Sequence, residues 1–507
     1  MTAFCNDSLR HLIASVIKTM GLICSARQRL RIIAFRTNQK RLKRKYGICR
    51  DTPVLSYGPQ VESSIRNAAR QHGPNAKFAT TSGSTGKPKE ILYTRGRLLA
   101  LKLAFSDMFV RACHAFQIPR TSLYVFSSFE TDTSLTSLLL NETDLPNYLA
   151  SLQAPYRVQH HPAIRSLVSA YGAVAVRLWL ITISNPGVLY STNPSTISTF
   201  LDELAHDWSR SSKLIKDWYD DPASFSPAVH RIVRRLQSRG CRERLKQIAL
   251  SAGPMPLSVC APGVTAYICW TGGYVQPFLE RLATHLPAPR YTLIPMYSMS
   301  TETIETLPYF RGREISFLPI APGVVYEFLD DAENLIDADR LEPSQFYELV
   351  ISDAYGLRRY QTGDLFRCER KLHHLPDLTF VRRRALEYSF TGEKLTGEQL
   401  TIVFEQLRAR YPALLADRFL TCVPAHPPHY KVLLIGELQT NVAELHDVLA
   451  VGCDALLSEI NCEYRTKRAS GRLGPIEVVN VRLKDFVAVN DTWETQFKFL
   501  PLMRQHG

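Results

Sequence analysis

The sequence has no Cys-x-x-Cys pair and no cluster of histidine with cysteine, although it contains eleven cysteines. That scatter offers neither a structural zinc site nor a disulfide framework, and it fits a reducing compartment. Long apolar runs are also missing. The stretch over residues 9–24 is interrupted or flanked by His11, Lys18 and Arg27, is too short and polar for a membrane span, and is followed by no small-residue cleavage site. The expected location is the cytoplasm.

Acidic residues are absent from residues 27–50, "RQRLRIIAFRTNQKRLKRKYGICR". Much of the net charge of +14 sits there, so the excess is local and does not make the whole chain a nucleic-acid binder. Leu30, Ile33, Phe35 and Leu42 recur at near-helical spacing in this run. It reads as basic amphipathic helix, broken near Gly47 and Pro53. Its basic face is either simply solvated or meets an anionic surface or an acidic partner. A nucleic-acid partner is disfavoured.

What is present suits a folded protein. Hydrophobic residues at 45% and charged residues at 21% lie in the globular band, which excludes extended disorder. A chain of 507 residues is long enough for one large multi-layer unit and a smaller one. Over residues 76–380, apolar strand-like runs such as "AVRLWLITI" alternate with helical patterns such as "PSTISTFLDELAHDWSRSSKLIKDW", which predicts an α/β architecture. In "STNPS" the Asn-Pro pair ends an extended segment and Ser195 is placed as the N-cap of the next helix. Beyond residue 383 the pattern becomes helices and short strands, a small α+β unit. The expected division is a basic helical segment over 1–50, a large nucleotide- and acid-binding domain over 51–382, and a small mobile domain over 383–507.

"FATTSGSTGKPKEILYT", residues 78–94, gathers hydroxyls around two glycines and ends in lysines. Glycines let backbone amides approach a polyanion, hydroxyls add donors, and lysine supplies a point charge. Thr81, Ser82, Gly83, Ser84, Thr85 and Gly86 form a candidate triphosphate cradle with Lys89 behind it. The run is not a Walker A loop. Only two residues separate Gly83 from Gly86, and Pro88 follows Lys87 where Ser or Thr would hold magnesium.

Two further segments, "YSMSTETIETLPY" over 297–309 and "YQTGD" over 360–364, lie downstream. With the "STGKPK" loop they resemble the three nucleotide motifs of the adenylate-forming superfamily. The resemblance implies ATP and magnesium, with Thr301 beside the α-phosphate, Glu302 as the magnesium carboxylate and Asp364 on the ribose hydroxyls. Those chemistries suit a hard carboxylate oxygen and an acceptor-only side chain facing a diol. "CWTGG", "FVRRRALEYSFTGEKL", "PPHYKVLLIGE" and "NCEYRTKRASGRLGPIEVV" look like the auxin-responsive Gretchen Hagen family of acyl-acid amido synthetases. That family implies a large multi-layer α/β N-terminal domain of the luciferase-like type and a smaller α+β domain. It puts Gly272 and Gly273 against the adenine, Tyr297 in the nucleotide site, Arg383 at the hinge, Lys394 near the nucleotide phosphate or ribose, and Lys498 within reach of the adenylate.

The expected reaction is ATP-dependent activation of a carboxylic acid as acyl-AMP, followed by transfer to an amine, that of an amino acid in the family. A thiol acceptor, coenzyme A or a carrier protein, shares the first half-reaction, and a binding protein on the same fold is a third reading. Tyr124, Trp179 and Tyr297 are candidates for the acyl pocket, or core aromatics.

Overall fold

The computed structural model describes Thr19 and residues 23–80, 89–119, 122–127, 129, 135, 138, 158–272, 275–383, 387–388, 390, 393, 395–415, 418–425, 427–436, 443–483, 485–486 and 500–503. The architecture is α/β. Four short strands, Leu123–Val125, Val188–Tyr190, Ala266–Cys269 and Thr292–Pro295, lie side by side in sequence order, every neighbouring pair parallel. The first three strands are buried at all but Tyr190, as strands covered on both faces must be, while the last is only half-buried.

The helices between them form a core of their own around Trp179, Phe200, Trp208, Leu214 and Ile248. "AVRLWLITI", expected as a strand, lies instead in the helix Ala173–Ser184. That helix is buried on every face from Ala175 to Ile183, so its apolar residues show no period that separates helix from strand. Its ends are set by Gly172 and by left-handed Asn185. The next helix is capped two residues earlier than expected. Asn193, not Ser195, is the N-cap, its side chain accepting the Ser195 amide at 3.0 Å, while Pro194 opens the helix where its missing N–H costs nothing.

A second layer is antiparallel: five strands in the order Leu335–Asp337, Val325–Leu329, Phe346–Ser352, Tyr360–Leu372 and Leu375–Arg383. It shares a core with the hairpin Lys77–Thr80/Glu90–Tyr93 and the helix Arg95–Ala115. The N-terminal helices, residues 23–33 and Phe35–Lys45, are fastened to this layer. Lys43 donates to Glu327 at 2.8 Å and Asp337 at 2.5 Å, and Gln39 bonds the Val324 carbonyl and the Tyr326 amide. Helix ends at Lys45 and Gly47 follows at φ +64, as the break near Gly47 predicted. Phe35 and Leu42 are buried, but Leu30 and Ile33 point outward at 66% and 76% exposure. The expected apolar face is therefore only half right.

The C-terminal residues build a third core from the helices Gly397–Arg410, Ala443–Ile460 and Cys462–Ala469 against the strands Phe419–Ala425, His429–Ile435 and Glu477–Val481. The first helix starts at a capping box, Thr396 with Gln399. Asp454 ties the last two helices together, accepting from Arg468 at 2.7 and 2.8 Å and from Tyr464 at 2.5 Å. Among the described residues no helix is long and apolar enough to cross a membrane.

Candidate active site

Ligands of open parallel sheets collect beyond the carboxyl ends of the strands. Strand Ala266–Cys269 runs directly into Trp270 and Gly272, and strand Thr292–Pro295 into Tyr297, Thr301 and Glu302. The segment after the second strand folds back tightly. Met299 bridges Ile304, the Ser300 amide donates to the Thr303 carbonyl at 2.9 Å, and the Ser298 carbonyl accepts from the amides of Glu305 and Thr306. Thr301 and Glu302 thus sit at the tip of a small turn.

That tip is pinned from the neighbouring hairpin. The Tyr93 hydroxyl donates to the Thr301 carbonyl at 2.8 Å, and burial pushes its phenol up to about 12, so it stays a neutral donor. Arg97 donates to the carbonyls of Glu302 and of Leu92. Its guanidinium lies between the rings of Tyr93 and Tyr355, 4.6 Å from each centroid, and pairs with Asp353 at 3.1 Å. Burial raises the Asp353 carboxyl, and Arg97 and the amides of Tyr355 and Leu357 pull it back down.

The side chains meet at Lys89, which closely follows the hydroxyl-rich run in sequence. Lys89 Nζ lies 2.9 Å from the Tyr360 hydroxyl and 3.5 Å from Glu302 Oε1, and Tyr360 donates to the same oxygen at 3.3 Å. One phenol serves both, accepting from the ammonium and donating to the carboxylate. Glu302 is 2% exposed and Tyr360 fully buried. The Lys89 ammonium also lies over the rings of Tyr57 and Tyr360. Tyr57 in turn accepts the Glu90 amide at 3.0 Å, fixing the strand on which Lys89 enters.

Tyr360 also opens the strand that carries Asp364. Gly363, at φ +80, lets the backbone bend there, and the Asp364 amide donates to the Thr362 hydroxyl at 3.1 Å. Asp364 is buried, and its Cα stands opposite that of Arg383 on the next strand. Gly272 packs against that strand: a Cβ on it would meet Trp270 Nε1 at 3.2 Å and Phe380 Cβ and O at 3.3 Å. Trp270 in turn packs at a tilt against Phe380, 5.0 Å between centroids, a structural role. Gly272→Ala is expected to cost about 1–3 kcal/mol, because backbone on one side cannot yield; a urea melt checks this.

Of the residues expected from sequence, Lys89, Glu302 and the Thr301 backbone come together, and Gly272 reaches the strand pair of Asp364 and Arg383. Thr81, Ser82, Gly83, Ser84, Thr85, Gly86, Gly273, Lys394 and Lys498 lie outside the described residues, and Arg383 is described by its backbone alone. The aromatic candidates are divided. Tyr124 and Trp179 are fully buried in the helical core, whereas Tyr297, 2% exposed, belongs to the other core. Sequence reading missed Tyr57, Tyr93, Arg97 and Asp353. It quoted Tyr360 only as the first letter of a motif, which was the available signal.

Glu302 fits the magnesium expectation as a single hard carboxylate beside Lys89. Among the described residues there is no group of three or more His, Cys, Asp or Glu side chains that could hold a metal. A magnesium carried on nucleotide phosphates needs only one or two protein carboxylates. Tyr360 is the residue that sets the Glu302 oxygen, so Tyr360→Phe is expected to lower turnover about tenfold, from loss of a hydrogen bond to a charged group. The melting point should barely move, since Lys89 and Glu302 still face each other, and the magnesium concentration giving half-maximal activity should rise.

Residues 317–383 match the GH3 family central domain and residues 398–506 the GH3 family C-terminal domain. Indole-3-acetic acid-amido synthetase GH3.8 of Oryza sativa subsp. indica is 31% identical over 202 residues, 36% of this chain and 33% of that protein. Jasmonoyl-L-amino acid synthetase GH3.5 of Oryza sativa subsp. japonica is 23% identical over 298 residues, 57% of this chain and 47% of that protein. The chain thus spans less than half the length of these relatives. The solved structure of AtGH3.15 acyl acid amido synthetase in complex with 2,4-DB shares the fold, with a TM-score of 0.63 at 18% identity over 89% of this chain and 84% of that one. The chain thus matches two GH3 family domains in chain order and shares the fold of the AtGH3.15 structure.

Proposed function

We propose that the chain activates a carboxylic acid with ATP and joins it to the amine of an amino acid, forming an amide. The observation that carries this reading is the cluster of Lys89, Tyr360 and Glu302, in which Lys89 closely follows the hydroxyl-rich run in sequence. In the first step a carboxylate oxygen bonds to the α-phosphorus as the bond to the β-phosphate oxygen breaks, and pyrophosphate leaves. In the second the amine nitrogen attacks the acyl carbon, a proton is lost from nitrogen, and AMP departs with the oxygen gained in step one.

Neither step needs a covalent enzyme intermediate. The protein's contribution is positioning and charge neutralisation. Lys89 and the hydroxyls and amides of residues 81–86 would hold the triphosphate. Glu302 would hold magnesium, which neutralises phosphate charge when bound, and Thr301 would stand beside the α-phosphate. Asp364 would grip the ribose diol, and Gly272 and Gly273 would leave room for the adenine. Closure of a small domain hinged at Arg383 would bring up Lys394 and Lys498 and exclude water from the mixed anhydride. The relatives named as amido synthetases support an amine acceptor.

Product mass spectrometry tests the acceptor. Folded protein is given ATP, magnesium and a panel of carboxylic acids, with an amino-acid mixture in one arm and coenzyme A in the other. An acyl-amino-acid in the first arm alone is the expected outcome. Thioester in the second arm alone would transfer the proposal to a thiol ligase, and pyrophosphate release in neither arm would overturn the activity.

A further inference from the structure

The N-terminal helix pair, residues 23–33 and Phe35–Lys45, carries a feature that nucleotide chemistry does not use. Cys24, Gln28, Ile32, Phe35 and Leu42 are its buried side. At 100° per residue the opposite side is Ala26, Leu30, Ile33, Thr37, Lys40 and Arg44, all exposed. Ile23, Leu30 and Ile33 are 63%, 66% and 76% exposed, three of the ten large hydrophobic side chains that stand exposed among the described residues. A soluble protein commonly exposes single apolar residues. A row of them on the first helix, running into a basic row on the second, is a different pattern.

The charge is disposed to match. Arg27, Arg36 and Lys43 pair with Asp107, Asp339, and Glu327 with Asp337, all acids of the protein body. Arg29, Lys40 and Arg44 make no ion pair among the described residues, and the helix offers them no acid because residues 27–50 contain none. The outward face is therefore apolar in its first half and cationic in its second, held rigidly to the body by the inward bonds.

We infer that this face is a docking surface for an anionic lipid headgroup layer. An interfacial helix needs apolar side chains that enter the acyl boundary together with cations that meet the headgroups, since one signal alone binds weakly. A phosphate backbone would satisfy Lys40 and Arg44 but leave Leu30 and Ile33 against water, which is why lipid is favoured over nucleic acid. The binding is peripheral.

Co-sedimentation of the full chain with phosphatidylcholine vesicles, with and without phosphatidylglycerol, tests this. Binding is expected only to the anionic vesicles and should weaken as salt is raised. Lys40→Gln with Arg44→Gln should weaken it about thirtyfold, at roughly 1 kcal/mol per cation. Leu30→Ser with Ile33→Ser should weaken it about tenfold or more. All four side chains are exposed, so unchanged thermal midpoints are expected in both double variants. No binding to anionic vesicles would overturn the inference. So would binding that the basic pair controls and the apolar pair leaves untouched, particularly if a short DNA duplex then binds with the same dependence.

Discussion

Glu302→Gln is expected to lower ATP–pyrophosphate exchange by about a hundred- to a thousandfold, the scale of removing one preorganised charged partner from a phosphoryl-transfer site. The substitution keeps the volume and an acceptor for the Tyr360 hydroxyl. It removes the negative charge facing Lys89 at 3.5 Å and the hard oxygen suited to magnesium. Lys89 retains the Tyr360 hydroxyl and is partly exposed, so the fold should survive with a loss of about 1–2 kcal/mol. Exchange kinetics measured beside a thermal melt separate the two effects. Near wild-type exchange in a folded Glu302→Gln protein would remove Glu302 from the site.

Arg97→Met is expected to be the most damaging change to stability, at about 3–5 kcal/mol, because it breaks a buried ion pair by removing one side. Three groups lose a partner at once: the Asp353 carboxylate and the carbonyls of Leu92 and Glu302. The pH dependence has a definite sign. Burial already raises the Asp353 carboxyl above its ordinary value, and Arg97 opposes that rise. Without Arg97 the folded-state value climbs further above the unfolded one, so the folded form binds the proton more tightly. The added penalty is then largest at neutral pH and shrinks as pH falls through the carboxylate range, where Asp353 is protonated in both states. Urea melts of both proteins at neutral and mildly acidic pH should show the gap narrowing, whereas a gap that widens toward acid would contradict the role given to Asp353. Exchange should fall as well, since the Glu302 backbone loses its clamp.

The site's ends were legible in the sequence because they lie in short, chemically biased strings. Lys89 and Glu302 stand 213 residues apart in the chain yet 3.5 Å apart in space. The connecting parts were not legible. Arg97 sits in a helix opening "RGRLL", where an arginine looks solvated until the Glu302 and Leu92 carbonyls are folded against it. The helix Ala173–Ser184 misled for a related reason: burial on all sides erases the period from which a helix is read. Leu30 and Ile33 kept helical spacing but not the side, since only tertiary contacts decide which of two apolar faces turns inward.

The central claim is that a substrate carboxylate attacks the α-phosphate of ATP at the Lys89–Tyr360–Glu302 cluster. Supplying the acid with both carboxylate oxygens as oxygen-18 follows that bond directly. The account predicts one heavy oxygen in the AMP released after amide formation and none in pyrophosphate. Heavy oxygen in phosphate or pyrophosphate, or AMP formed without it, would contradict the claim.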